Sequence, residues 1–144
     1  MHYPPIIQHQ EVHRLQDVWQ LPESTVLDIG CGDCELVEFL AQTYAQQVIG
    51  VDVSSERFPL RHRKRGDSSR QNPRCIKADA RSLSFLSGGS IDAVVMMWSL
   101  HEMRAPVTVL REAYRVLRPG GKILVVDFPR RSLAERLWDE KYHT

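Results

Sequence analysis

Residues 25–36 read TVLDIGCGDCEL. Thr25–Gly30 is a short, mostly apolar run rich in β-branched residues, and a second glycine, Gly32, follows two positions on. Leu36, Val37, Leu40, Ala41 and Tyr44 then recur at helical spacing. A strand that passes through bare backbone directly into a helix is the opening unit of an α/β sheet. Similar runs return at Gln47–Asp52, Arg74–Ala78, Ile91–Met97 and Lys122–Phe128, and their continuous apolar character suits strands covered on both faces. Val107, Leu110, Tyr114 and Leu117 mark a second helix, with Pro106 at its start and Pro119-Gly120-Gly121 after its end. Phe58 and Leu60 begin a weaker helix, where Pro59 is tolerated only in the first turn. Val12, Leu15 and Trp19 predict an amphipathic lead-in helix closed by Pro22, and a last helix is expected from Ser132 to about Glu140. The alternation implies right-handed crossovers and an α/β fold built on a doubly wound parallel sheet of about five strands. Residues 1–144 read as a single domain, with 1–24 as its helical lead-in.

Composition narrows the function classes. The chain has 144 residues, 42% hydrophobic and 26% charged, which is enough for an ordinary core and excludes a disordered chain. The longest purely apolar stretch, Ala93 to Trp98, is far too short to span a bilayer, and the start MHYPPIIQHQ has no secretory pattern. Three cysteines make no disulfide framework, so a cytoplasmic location and no membrane partner are expected. The net charge of +1 hides an asymmetry: Arg57 to Lys77 carries eight basic residues and one acid, +7, against 11 basic and 17 acidic residues, −6, elsewhere. Such a patch can attract nucleic acid. Arg57, Arg61 and Arg65 repeat at helical spacing without aromatics for base stacking, and a solvated helix face is the preferred reading.

In doubly wound sheets ligands bind beyond the carboxyl ends of the strands, where strand order reverses. A dinucleotide fingerprint would need glycine at position 35, where this chain has Glu35. That carboxylate opposes a pyrophosphate at a helix N-terminus. Asp28, two residues before the first glycine, suits a ligand carrying a cation better than one carrying two phosphates. Asp52 ends the second strand, twenty residues after Gly32, and a carboxylate there can accept from both hydroxyls of a ribose. Val53 is placed to lie against a base, and Asp79 with the Ala80 N–H to read the edge of adenine. Trp98 lines a pocket or belongs to the core at the fourth strand's end. His101, beside Glu102, is the best-placed general base if the chemistry needs one, or else a pocket-edge residue. Cys31-x-x-Cys34 invites a metal or a redox reading, since Cys34 lies near a helix N-terminus, which lowers a thiol pKa. The further ligands a zinc site requires are missing and the loop already accounts for both positions, so neither a metal nor a redox role is expected.

VLDIGCGDCEL, GVDVSSE, KADARSL, IDAVVMMWSLHEM and LRPGGKILVVDF resemble, in order and spacing, the successive motifs of class I S-adenosylmethionine-dependent methyltransferases. The nearest group is the one that includes ubiquinone and menaquinone-biosynthesis methyltransferases. The resemblance runs from about Val26 to Phe128. It implies that S-adenosyl-L-methionine is the cofactor, that Asp28, Gly30, Cys31 and Gly32 shape the methionine pocket, that Asp52 holds the ribose, and that Asp79 and Ala80 hold the adenine. Where the family usually has a third glycine, this chain has Cys34. The fourth-strand motif reads MMWSLH and lacks the signature of amino-group nucleic-acid methyltransferases. The antiparallel strand pair that usually follows the fifth strand is expected to be missing. The fifth-strand edge would then take a second copy or a partner subunit.

Three functional readings follow. The leading one is methyl transfer to a small-molecule acceptor. The others are an RNA or protein methyltransferase using Arg57–Lys77, and a non-catalytic module that binds the cofactor or a partner subunit.

Overall fold

A computed structural model of the chain describes residues 24–43, 47–63 and 72–127. Five strands form one all-parallel sheet: β1 (Thr25–Ile29), β2 (Gln47–Asp52), β3 (Arg74–Lys77), β4 (Ile91–Met97) and β5 (Leu117–Val126), in the order β3-β2-β1-β4-β5. β1 is central. The chain builds outward from it through β2 to β3, then returns to its other side with β4, so strand order reverses between β1 and β4. The expected doubly wound parallel sheet is the observed one.

The helices are α1 (Glu35–Thr43), the single turn α2 (Leu60–Arg63) and α3 (Pro106–Val116), with a 3-10 turn at Leu100–Glu102. α1 buries Leu36, Val37 and Leu40, and Glu35 and Glu38 in its first turn suit the positive end of the helix dipole. In α3, Pro106 occupies the first turn, where its missing N–H costs nothing. The buried face of α3 differs in part from expectation, although Leu110 and Leu117 do pack against the core. Val109, Ala113 and Val116 face the core, while Val107 and Tyr114 are 59% and 82% exposed. The small Ala113 lets the helix axis approach the sheet, and the bulkier Tyr114 lies on the outer side. Similarly, Phe58 is buried and Leu60 exposed.

β5 starts earlier than its apolar run suggests. Leu117 already pairs with Ile91, and a register shift between Ile91 and Ala93 absorbs the intervening Arg118–Gly121 as an irregularity inside the strand. The expected lead-in helix before Pro22, the helix from Ser132 and the fifth-strand end at Phe128 lie outside the described residues, as do residues 64–71 of the basic segment.

Each sheet face carries its own core. Val26, Leu36, Val37, Leu40, Val48, Phe58, Val95 and all three cysteines pack on the α1 face. Leu27, Ile29, Val51, Leu83, Val94, Met96, Val109 and Ala113 pack on the α3 face. Polar clamps fix the frame at the amino ends of the strands. Asp92 accepts the Thr25 N–H at 2.8 Å and pairs with Arg118. The Thr25 N–H first, and then the Arg118 guanidinium, hold the Asp92 carboxyl below its ordinary range. Arg115 donates to the Leu83 and Leu86 carbonyls at 2.9 and 3.0 Å, pinning the segment before β4 onto α3.

Candidate functional site

A cavity of about 430 Å³ opens at the carboxyl ends of β1 to β4, at the reversal of strand order. Asp28, Gly30, Cys31, Gly32, Asp52, Val53, Asp79, Ala80 and Trp98 all line it. His101 does not. Its Nδ1 lies 2.6 Å from Asp127 Oδ1, and its Nε2 lies 3.5 Å from Oε1 of Glu102, whose residue does line the cavity.

The loop after β1 is tied to the end of β2 through its backbone. The N–H groups of Gly30 and Cys31 both donate to the Val51 carbonyl, at 2.8 and 3.0 Å. Gly30 has φ +80, and a Cβ there would sit 2.5 Å from Ser99 Cβ, so conformation and space both demand glycine. Ser99 is buried and donates its hydroxyl to the Ile29 carbonyl at 2.9 Å, stitching the end of β4 to the end of β1. Cys34, at the family's third-glycine position, adopts the left-handed conformation with φ +67. Its N–H donates to the Cys31 carbonyl at 2.9 Å, and its own carbonyl accepts from Glu38, so α1 starts there. A non-glycine residue in that region costs about 1–2 kcal/mol.

Asp52 Oδ2 accepts the Gly32 N–H at 2.9 Å and Oδ1 accepts the Ser54 N–H at 3.1 Å. Each carboxylate oxygen retains a second lone pair for a ligand hydroxyl. Asp28 is 3% exposed, and among the described residues no donor meets its carboxylate. Burial, with Asp52 and then Asp33 adding negative charge, pushes its pKa up to about 7. Asp79 is the opposite case. Arg81 binds both of its oxygens, with Nε at 3.1 and 3.0 Å and a terminal nitrogen at 2.6 Å, and the Arg81 N–H adds a fourth bond. Those hydrogen bonds lower the Asp79 pKa to about 2.

Several lining residues carried no distinct sequence signal. Ser99 and Met103 sit in the stretch after β4, where only Trp98 and His101 stood out by residue type. Arg57 belongs to a charge run that reads as a solvated face, yet it overhangs Gly32 and lies 3.7 Å from Asp33. Arg61, from the same run, pairs with Glu38. The cysteines also depart from expectation: Cys34 is bonded to Cys75, 41 residues away, so a disulfide forms where none was expected. Cys75 comes from β3, which no reading of local spacing pairs with the loop.

Residues 27–125 match a protein-family model described as a methyltransferase domain. The chain is 32% identical over 108 residues to the chloroplastic 2-phytyl-1,4-beta-naphthoquinone methyltransferase of Arabidopsis thaliana, covering 72% of this chain and 41% of that protein. It is 29% identical over 105 residues to the demethylmenaquinone methyltransferase of Lactococcus lactis, with the same coverage of 72% and 41%. It thus spans less than half the length of these relatives. Among solved structures, the YcgJ protein of Bacillus subtilis superposes with a TM-score of 0.74 at 26% identity, over 92% of this chain and 55% of that one. The [4+2]-cyclase SpnF superposes with a TM-score of 0.68 at 31% identity, over 87% and 48%. The motif order, the parallel sheet and the family match agree: the chain belongs to the class I S-adenosylmethionine-dependent methyltransferases, in the ubiquinone/menaquinone-like group.

Proposed function

We propose that the cavity at the ends of β1–β4 holds S-adenosylmethionine and that the chain serves methyl transfer to a small-molecule acceptor, with a hydroquinone-type ring as the first class to test. The observation that carries the reading is the buried Asp28 carboxylate, unmet among the described residues, beside the bare backbone of Gly30 and Gly32 and the half-engaged Asp52. A ligand with a cationic amino acid end and a ribose satisfies both acids, whereas a dinucleotide offers Asp52 a ribose but brings the negative pyrophosphate toward Asp28. Val53 and Ala80 then flank the base. The names of the naphthoquinone and demethylmenaquinone methyltransferase relatives support the acceptor class.

The cofactor supplies the activated methyl group and its own leaving group, so the protein's work is alignment and exclusion of water. Asp28 and Asp52 orient the donor from its two polar ends. Trp98 and Met103 form apolar wall at the β4 side, where an acceptor ring would sit over the methyl. If the acceptor must lose a proton during attack, the His101–Asp127 pair, through Glu102, is the acid–base group proposed to take it. The edge of β5, the last strand among the described residues, is where a second copy or partner subunit would pair.

The deciding experiment is calorimetry with S-adenosylmethionine, S-adenosylhomocysteine and NAD on the wild type and Asp52→Ala. The adenosyl ligands should bind and NAD should not. The variant should lose roughly 2–4 kcal/mol of affinity through the missing charge-assisted hydrogen bonds. Unchanged affinity in Asp52→Ala refutes the assignment. Binding without turnover on reduced naphthoquinones would favour the non-catalytic module instead.

A further inference from the structure

Directly beneath the loop that shapes the cavity, the sulfurs of Cys31, Cys34 and Cys75 lie within 4.8 Å of one another, all buried. Gly50 makes the space. It pairs in register with Cys75, and a Cβ on it would approach Cys31 Cβ and Sγ to 2.8 and 2.9 Å. Cys34 and Cys75 are bonded, and Cys31 Sγ stands 3.9 Å from Cys34 Sγ. Of the three, Cys31 alone lines the cavity.

Two chemistries are open to such a trio, a soft metal ion held by three thiolates or thiol–disulfide exchange. The observed bond decides between them. Cys34 and Cys75 are joined, so three thiolates are not on offer to a metal ion, and one disulfide beside one thiol is the arrangement observed.

We propose that the three cysteines form a thiol–disulfide relay in which Cys31 connects the buried Cys34–Cys75 bond to dithiol reductants entering through the cofactor cavity. This rests on the reading of that cavity as the cofactor site. In the first step the Cys31 sulfur attacks Cys34 Sγ while its proton passes to the departing Cys75 sulfur. All three atoms lie within 4.8 Å of one another, so no free Cys31 thiolate forms beside Asp28, Asp52 and Asp33. The Cys31–Cys34 bond forms, the Cys34–Cys75 bond breaks, and Cys75 leaves as a thiol. No electrons are gained or lost. An external dithiol then attacks Cys31 Sγ from the cavity and displaces Cys34. Its second thiol closes on the first and releases Cys31. The reagent is oxidised by two electrons, and all three cysteines end as thiols. A bound adenosyl ligand covers the entrance, so cofactor occupancy protects the bond.

The test is the rate at which dithiothreitol reduces the Cys34–Cys75 bond under native conditions, read by alkylation and mass spectrometry. It is measured with and without saturating S-adenosylhomocysteine in wild type, Cys31→Ser and Cys31→Ala. Folding of each variant is checked by circular dichroism. Both variants should be reduced at least about tenfold more slowly than wild type. The ligand should slow the wild type similarly and barely affect the variants. Equal rates in wild type and a folded variant overturn the relay. So does the lack of a Cys34–Cys75 bond even after peroxide treatment, or stoichiometric zinc in the purified protein. If calorimetry shows no adenosyl binding, the cavity reading fails; the variant arm still judges the relay. If the ligand binds without protecting, the relay alone fails.

Discussion

Asp28 and Asp79 stand at the same edge of one sheet and face one cavity, yet their electrostatics are opposite. Asp28 is buried, unmet among the described residues and shifted up to about 7 by desolvation and by two neighbouring acids. Asp79 is exposed, clasped by Arg81 two residues on, and shifted down to about 2. One residue type thus yields an uncompensated inner acid and a compensated outer one, and the difference lies in what surrounds each. The inner rim stores a cost that a cationic ligand removes. The outer rim carries its counter-ion within three residues of sequence, and has little to gain from a ligand's charge.

Removing the inner carboxylate should give the largest effect. Asp28 holds its proton in the folded chain up to about pH 7 but ionises near 3.8 once unfolded. Between those values unfolding releases a proton, so stability falls as pH rises and is lowest above about 7. Asp28→Asn removes that penalty. In urea denaturation it should exceed wild type at pH 8 by up to about 4 kcal/mol, with the two converging near pH 4. A variant less stable than wild type at pH 8 would break the comparison. The same substitution should weaken S-adenosylmethionine binding roughly 10- to 100-fold at pH 8, and wild-type affinity should strengthen from pH 6 to 8. Greater stability with poorer binding is the signature of a stored cost.

A smaller effect is expected at Ser99. Ser99→Ala deletes the hydroxyl bond to the Ile29 carbonyl that joins β4 to β1, and should cost about 1–2 kcal/mol by urea denaturation. The smallest belongs to the outer rim. Arg81→Ala should leave the melting temperature unchanged and adenosyl-ligand affinity within about twofold, because an exposed ion pair contributes little. A large loss of affinity there would show that the outer rim, too, depends on charge.

The strands were legible because each holds a short, mostly apolar run or, in β3, an apolar pair between basic residues. The glycine loop and Asp52 were legible because their spacing reflects a turn and a strand end. What escaped was anything set by the approach of distant elements. The inner face of α3 turns on Ala113, a residue too small to announce itself beside Val107 and Tyr114. The start of β5 hides in a Pro-Gly-Gly stretch that reads as a turn but is an irregular part of the strand. Ser99 matters because β4 lies against β1, and Cys75 because β3 brings it beside Gly50. His101 drew attention by residue type, but its ring is turned to Asp127.

The central place of β1 has a thermodynamic consequence. The cavity draws on residues from Asp28 to Val109, so it exists only when β2 and β4 are both zipped onto β1. A ligand bound there recognises the completed sheet alone, and its binding energy adds to the closure of every strand at once. At one hundred times its dissociation constant such a ligand contributes about 2.7 kcal/mol to global stability. Slowly exchanging amides of β1, β2 and β4 should therefore gain protection together and by the same factor, so that a single bound molecule makes three strands behave as one exchange unit.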